Sequence, residues 1–139
     1  MAYVLIAVAV LVLLLVGFVV VVRKGARSAR GRIDGQLAQL DVQRTSKVNF
    51  YGVASRGRGQ VRGLGTLALT PDELVFLQLI PSYELRLPRA AISGTDVARS
   101  FLGKTQGRDL LVVTWAVDGV EDQVAFDIPE LDAWRTALG

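Results

Sequence analysis

The sequence contains no cysteine and no histidine. Without cysteine the chain can form no disulfide, no thiolate metal site and no nucleophilic thiol. Without histidine it lacks the commonest general base and the commonest transition-metal ligand of proteins. Both absences argue against a hydrolase and against a zinc protein. We therefore expect a chain that is not an enzyme and that uses no metal or other cofactor.

Charge is absent from residues 2–22, a run made mainly of valine, leucine, isoleucine and alanine. Twenty-one residues in a helix rise about 31 Å, which matches a hydrocarbon core about 30 Å thick. A cleaved signal peptide is the alternative, but such a peptide has a basic segment before a shorter apolar core. The run therefore predicts an uncleaved transmembrane anchor, and residues 1–22 form the first unit of the chain.

A cluster of basic residues follows the anchor directly: Arg23, Lys24, Arg27, Arg30 and Arg32. Residues 23–62 carry 10 basic and 2 acidic side chains, whereas residues 63–139 carry 6 basic and 11 acidic ones. Basic residues beside a span stay on the cytoplasmic side of the membrane. We expect a single-pass protein of the cell membrane with its N-terminus outside, its C-terminal domain in the cytoplasm and the basic cluster at the membrane interface.

Residues 23–46 form a second unit, a basic juxtamembrane linker. Ile33, Leu37 and Leu40 are spaced i, i+4, i+7, which predicts a short amphipathic helix over residues 33–42. Its apolar side could lie on the membrane or on the domain that follows.

The third unit, residues 47–139, shows the period-two alternation of strands. Seven strands are predicted, at residues 48–54, 60–70, 74–80, 83–87, 92–99, 110–117 and 123–128. Val61 is predicted to face the core from the second strand, where Gly63 and Gly65 indicate a bend or bulge. A closed or nearly closed barrel would leave no exposed sheet edge.

One helix is predicted after the strands, over residues 129–138. Pro129 suits a first helical position. Leu131, Trp134 and Leu138 form an apolar stripe, which must dock on the strands as a plug of the core.

Seven strands followed by one amphipathic helix resemble the pleckstrin-homology (PH) and GRAM-like superfold, in which a helix bearing a tryptophan closes a bent barrel. Trp134 is similarly placed. Residues 65–76 resemble the "G-x-L-x-L-T-x-x-x-L-x-F" run of bacterial PH-like proteins. Residues 87–92 resemble the pattern that follows this run, a hydrophobic residue and then "P-x-x-x-I". With the anchor, the chain resembles small bacterial single-pass membrane proteins that carry such a domain.

The resemblance also implies a place for ligands, because PH domains that bind phosphoinositides carry the motif K-x(n)-[K/R]-x-R across the first hairpin. Lys47, Arg56 and Arg58 match this form, and Arg62 adds a fourth charge. The resemblance implies a binding or scaffold module that contacts a membrane-associated protein. The alternative is a module that senses anionic lipid or phosphate headgroups through these four residues. No nucleic acid is expected, since no aromatic RNA-binding pattern accompanies the arginines.

Overall fold

The structure is a computed structural model that describes residues 1–60, 62–105 and 107–139. Val61, which we predicted to face the core, lies outside the described residues. The chain begins with one long helix, α1 (Ala2–Ala38), and ends with a short one, α2 (Leu131–Leu138). Seven strands lie between them, and their bounds are β1 (Arg44–Val53), β2 (Gly63–Leu69), β3 (Glu73–Gln78), β4 (Tyr83–Pro88), β5 (Ile92–Ala98), β6 (Leu110–Val117) and β7 (Val120–Asp127).

Helix α1 is long and apolar enough to cross a membrane, with a mean hydropathy of 3.5 over its most apolar 18 residues. None of that stretch is buried in the domain. Its length and composition are those of a membrane anchor or of a signal sequence. The helix continues without interruption through Gly25, Gly31 and Gly35 into the segment that we predicted as a partly helical linker, and it ends at Ala38 rather than at residue 42.

The strands form one antiparallel sheet in the order β4-β3-β2-β1-β7-β6-β5. Within the described residues β4 and β5 do not pair, so the sheet is open at both edges. This corrects the expectation of a closed or nearly closed barrel. The chain passes from β4 to β5 through Pro88 and a 3₁₀ turn (Arg89–Ala91), and α2 packs beside β5 and β6 instead of a closing strand pair.

The inner face of the sheet holds the main core, in which Phe50 stacks on Phe76 with ring centroids 4.9 Å apart and Phe126 packs beside both. Trp134 of α2 is fully buried in this core, and its Nε1 donates a hydrogen bond to Ser46 Oγ at 3.0 Å. Leu131 and Leu138 pack against the same cluster. Helix α2 therefore contributes core side chains as well as covering the sheet.

Glycine positions shape the sheet in a way that differs from the prediction. The ladder between β1 and β7 shifts register between Phe50 and Gly52, and Gly52 has φ +125°, which a residue with a side chain rarely adopts. The bulge is thus in β1, whereas Gly63 and Gly65 lie in a regular ladder. They are glycines because the Gln78 and Phe76 side chains occupy the space that a Cβ would need.

The start of α2 also differs from the prediction. Glu130 has φ 56° and ψ 44°, a left-handed conformation that cannot belong to the helix, so α2 begins at Leu131 rather than at Pro129. Glu130 accepts a hydrogen bond from Arg44 at 3.3 Å.

Candidate functional site

The last turns of α1 dock on the outer face of the sheet. Ile33 is only 3% exposed and packs with Val75 and Leu77 of β3. The Arg32 guanidinium donates hydrogen bonds to the carbonyl oxygens of Gln78 at 2.8 Å and Leu79 at 3.2 Å. The stripe that we predicted for this segment therefore faces the domain. Arg32 belongs to this contact, whereas the other four basic residues of the juxtamembrane cluster are exposed.

The four basic residues suggested by the PH motif do not form one cluster. The Arg56 guanidinium lies over the ring of Tyr83, 4.7 Å from its centroid, and Tyr83 packs on the inner core. The Arg62 guanidinium lies 5.4 Å from the ring of Tyr51, which belongs to the outer face. Arg56 and Arg62 thus stack on opposite faces of the sheet.

Lys47 and Arg58 occupy two further places. Lys47 is an exposed residue of β1, directly opposite Thr66 of β2. The Arg58 side chain is exposed, and its backbone carbonyl accepts a hydrogen bond from Lys104 Nζ at 3.2 Å. The first hairpin therefore presents separate cations rather than one concave basic patch.

A groove of about 580 Å³ runs between α1 and the outer face of the sheet. It has the size of a small-molecule site, since such sites measure about 300–1,000 Å³. One wall is the α1 turn with Arg30, Ile33 and Asp34, and the floor crosses β2 and β1. The polar groups of the groove come from Arg30, Asp34, Lys47, Asn49, Thr66, Arg108 and Asp127.

Lys47 and Arg30 are the cations of this groove that remain available to a ligand. Arg108 donates to Asp127 at 3.4 Å, whereas no salt bridge among the described residues involves Lys47 or Arg30. The sequence indicated both residues but in different units: Arg30 was predicted in the basic cluster at the membrane interface, and Lys47 in the first hairpin. The alternation of Lys47 and Asn49 on one strand face was the signal that could have indicated a polar surface there.

A second candidate surface is the free edge of β4. Its outer face carries Arg86, which lies between the carboxylates of Glu84 and Glu73. The hydrogen bond to Glu84 raises the pKa of Arg86 above its ordinary value, which shows that the two carboxylates stabilise the charged guanidinium. Charges of this kind on an edge strand discourage unselective pairing with other strands.

Within the described residues, no group of three or more Asp or Glu side chains is placed to hold a metal ion. Asp122 of β7 has another role, since its carboxylate accepts hydrogen bonds from the Ser55 backbone N–H at 3.0 Å and from the Ser55 hydroxyl at 2.6 Å. Asp122 therefore anchors the turn after β1.

Comparison with known proteins gives a likeness of fold. No family model matches the sequence, and no curated protein shows significant similarity to it. Among solved structures, the C-terminal domain of an unknown protein from Leishmania infantum is similar, with a TM-score of 0.52 and 14% sequence identity. The match covers 81% of this chain and 93% of that one. At this identity the likeness concerns the fold alone.

Proposed function

We propose that the chain is a single-pass membrane protein whose cytoplasmic, PH-like domain is a binding or scaffold module for a membrane-associated protein. The orientation is supported by the basic residues after the apolar run. The PH-like assignment is supported by seven antiparallel strands followed by a helix whose Trp134 fills the core. Membrane residence comes from α1, so a partner in the same membrane is met at high effective concentration and weak contacts suffice.

The open edge of β4 is the observation that carries this proposal. At the two ends of β3, the Glu73 carbonyl accepts a hydrogen bond from Thr70 N–H, and Leu79 N–H donates one to the Leu64 carbonyl. The odd-numbered residues of β3 therefore form their backbone hydrogen bonds with β2. The even-numbered residues of β3 then bond to β4, through the pairs Leu74↔Leu87, Phe76↔Leu85 and Gln78↔Tyr83. Because backbone groups alternate along an antiparallel strand, the N–H groups of Glu84 and Arg86 point away from the sheet.

Free N–H and C=O groups in this arrangement accept an extended segment of another protein as an eighth strand. Main-chain hydrogen bonds would supply affinity, and the Glu84–Arg86 charges would select the partner. Pro88 at the end of β4 fits the same pattern, since proline is tolerated where the N–H faces away from the sheet.

Glu84→Pro tests this proposal, because it removes one outward N–H and leaves every hydrogen bond to β3 in place. Glu84→Ala is the matched control, since it removes the same carboxylate and keeps the N–H. The full chain is extracted from its own membranes with a mild detergent, and the co-purifying proteins are quantified. We expect a partner that is kept by the wild type and by Glu84→Ala and lost by Glu84→Pro. Equal recovery with both variants, at equal thermal stability, would exclude strand addition at this edge.

Anionic-headgroup sensing through Lys47, Arg56, Arg58 and Arg62 is the second candidate function. It is supported by the exposure of all four residues and by the absence of any salt bridge to them among the described residues. Their separation on different faces of the sheet favours diffuse attraction to a charged surface over the binding of one headgroup.

A further inference from the structure

The groove beside α1 has a defined direction relative to the apolar span. Arg32, near the span, contacts the carbonyls of Gln78 and Leu79, whereas Gln43, after the helix, donates its N–H to Leu69 O at 2.7 Å. Leu69 pairs with Leu74 at the other end of β3. Strand β3 therefore points its C-terminal end toward the span, and the start of β2 lies at the same end.

Apolar and cationic side chains are ordered along this direction. Leu64 and Leu79 lie at the end of the groove nearer the span and are joined by the hydrogen bond from Leu79 N–H to Leu64 O at 2.9 Å. Leu64 is 63% exposed, which is unusual for a leucine on a sheet. Lys47 and Thr66 pair farther along, beyond Asn49. The groove thus has leucine side chains at its mouth toward the span, where Arg30 also lies, and Lys47 farther along its floor.

The distance from the span brings this mouth close to the bilayer surface. Arg30 follows Val22 by eight residues, which corresponds to a rise of about 12 Å in a continuous helix. The headgroup layer extends roughly 5–8 Å beyond the hydrocarbon core on each side. The mouth therefore lies just outside the headgroups when the span is upright, and closer to them when the span tilts by the usual 20° or so.

We propose that this groove binds the headgroup of an anionic glycerophospholipid drawn from the host bilayer. The Lys47 ammonium and the Arg30 guanidinium hold the phosphodiester, and Leu64 and Leu79 line the mouth that faces the bilayer. The carboxylate of Asp127 is already engaged by Arg108, and Asp34 leaves the available groups with a net charge of +1, which matches one phosphodiester. The inference rests on the proposed membrane insertion of α1.

The site differs from the hairpin suggested by the PH motif, because it uses α1 and the outer face of the sheet. Lys47 belongs to both sets, but Arg56 stacks on a ring of the inner face and Arg58 lies beside the turn that contains Lys104. Substitutions can therefore separate the two sites. Lys47 and Arg30 are both exposed, so their replacement removes no core contact.

The test follows the thermal unfolding of the full chain in a neutral detergent while dihexanoyl-phosphatidylglycerol is added below its micelle concentration. A ligand that binds only the folded state stabilises it by RT ln(1 + [L]/Kd), so the unfolding midpoint rises with the lipid concentration. We expect a rise for the wild type and for Arg56→Glu/Arg58→Glu. For Lys47→Glu and for Arg30→Glu we expect an apparent affinity lower by about tenfold or more, since each loses a charge-assisted hydrogen bond. Dihexanoyl-phosphatidylcholine and inorganic phosphate should give a much smaller rise.

Four outcomes would overturn the site. These are no rise for the wild type, an equal rise with phosphatidylcholine, an equal rise with inorganic phosphate alone, and a rise that is lost in the Arg56→Glu/Arg58→Glu variant but kept in Lys47→Glu. Failure of the underlying membrane insertion is measured separately, by release of the chain from its membranes in alkaline carbonate. A chain that resists carbonate but shows no lipid-dependent rise would contradict the groove and leave the anchor intact.

Discussion

Replacing Trp134 with alanine is the most direct test of how α2 stabilises the domain. The indole is fully buried in the inner core, and truncating a buried tryptophan to alanine costs about 3–5 kcal/mol. Its hydrogen bond to Ser46 Oγ contributes about 1 kcal/mol more. Single domains have free energies of unfolding of about 5–15 kcal/mol. Since each kcal/mol shifts the midpoint of a domain this size by at least about 4 °C, we expect Trp134→Ala to lower it by roughly 12 °C or more.

The measurement needs a signal from the domain alone, because α1 stays helical in detergent and dominates the circular dichroism. The fluorescence of Trp115 provides this signal. Trp115 is 8% exposed in the same core and is the other tryptophan of the chain. Thr136→Ala is the matched control, because Thr136 is an exposed residue of the same helix and should change stability by no more than about 0.5 kcal/mol. A midpoint that Trp134→Ala leaves unchanged would refute the conclusion that α2 fills the core.

Two further predictions concern the ladder and the topology. Gly65→Ala should destabilise the domain strongly, because the new Cβ would collide with the Leu77 carbonyl oxygen and lie 2.7 Å from Phe76 Cε2. Gly94→Ala is the control in the same melting experiment, because a Cβ at Gly94 meets nothing within 4 Å. Alkaline phosphatase fused after Gly139 should be inactive, because the proposed orientation puts the C-terminus in the cytoplasm, on the side of the basic residues. High phosphatase activity would reverse the proposed orientation.

A strand could be predicted from the sequence where a long run of apolar and β-branched residues is bounded by turn residues. Strand β6 has the predicted bounds, and in the turn that follows it Asp118 has φ 53° and Gly119 has φ 78°, the left-handed pair of a two-residue hairpin. The N-terminal half of β1 escaped prediction, because Arg44 and Ser46 face inward only through contacts with Glu130 and Trp134 of the distant C-terminal segment. Such contacts leave no local pattern.

The continuity of α1 escaped prediction for a similar reason. Glycine in a helix interior costs about 1 kcal/mol relative to alanine, and the second half of α1 contains Gly25, Gly31 and Gly35. The docking of Ile33 on β3 offsets that cost through tertiary packing, which propensities do not include. The groove could not be predicted either, because it exists only where α1 lies on the sheet and brings Arg30 toward Lys47, a residue 17 positions later.

The unbroken helix α1 also joins the apolar run rigidly to the sheet. Every residue of a helix adds about 1.5 Å of height and 100° of rotation. The number of residues between Val22 and Arg32 therefore sets the angle, about the helix axis, between the β4 edge and each side of the apolar run. A partner that contacts both the apolar run and the edge strand would depend on this angle, even though the partner contacts none of the residues in between.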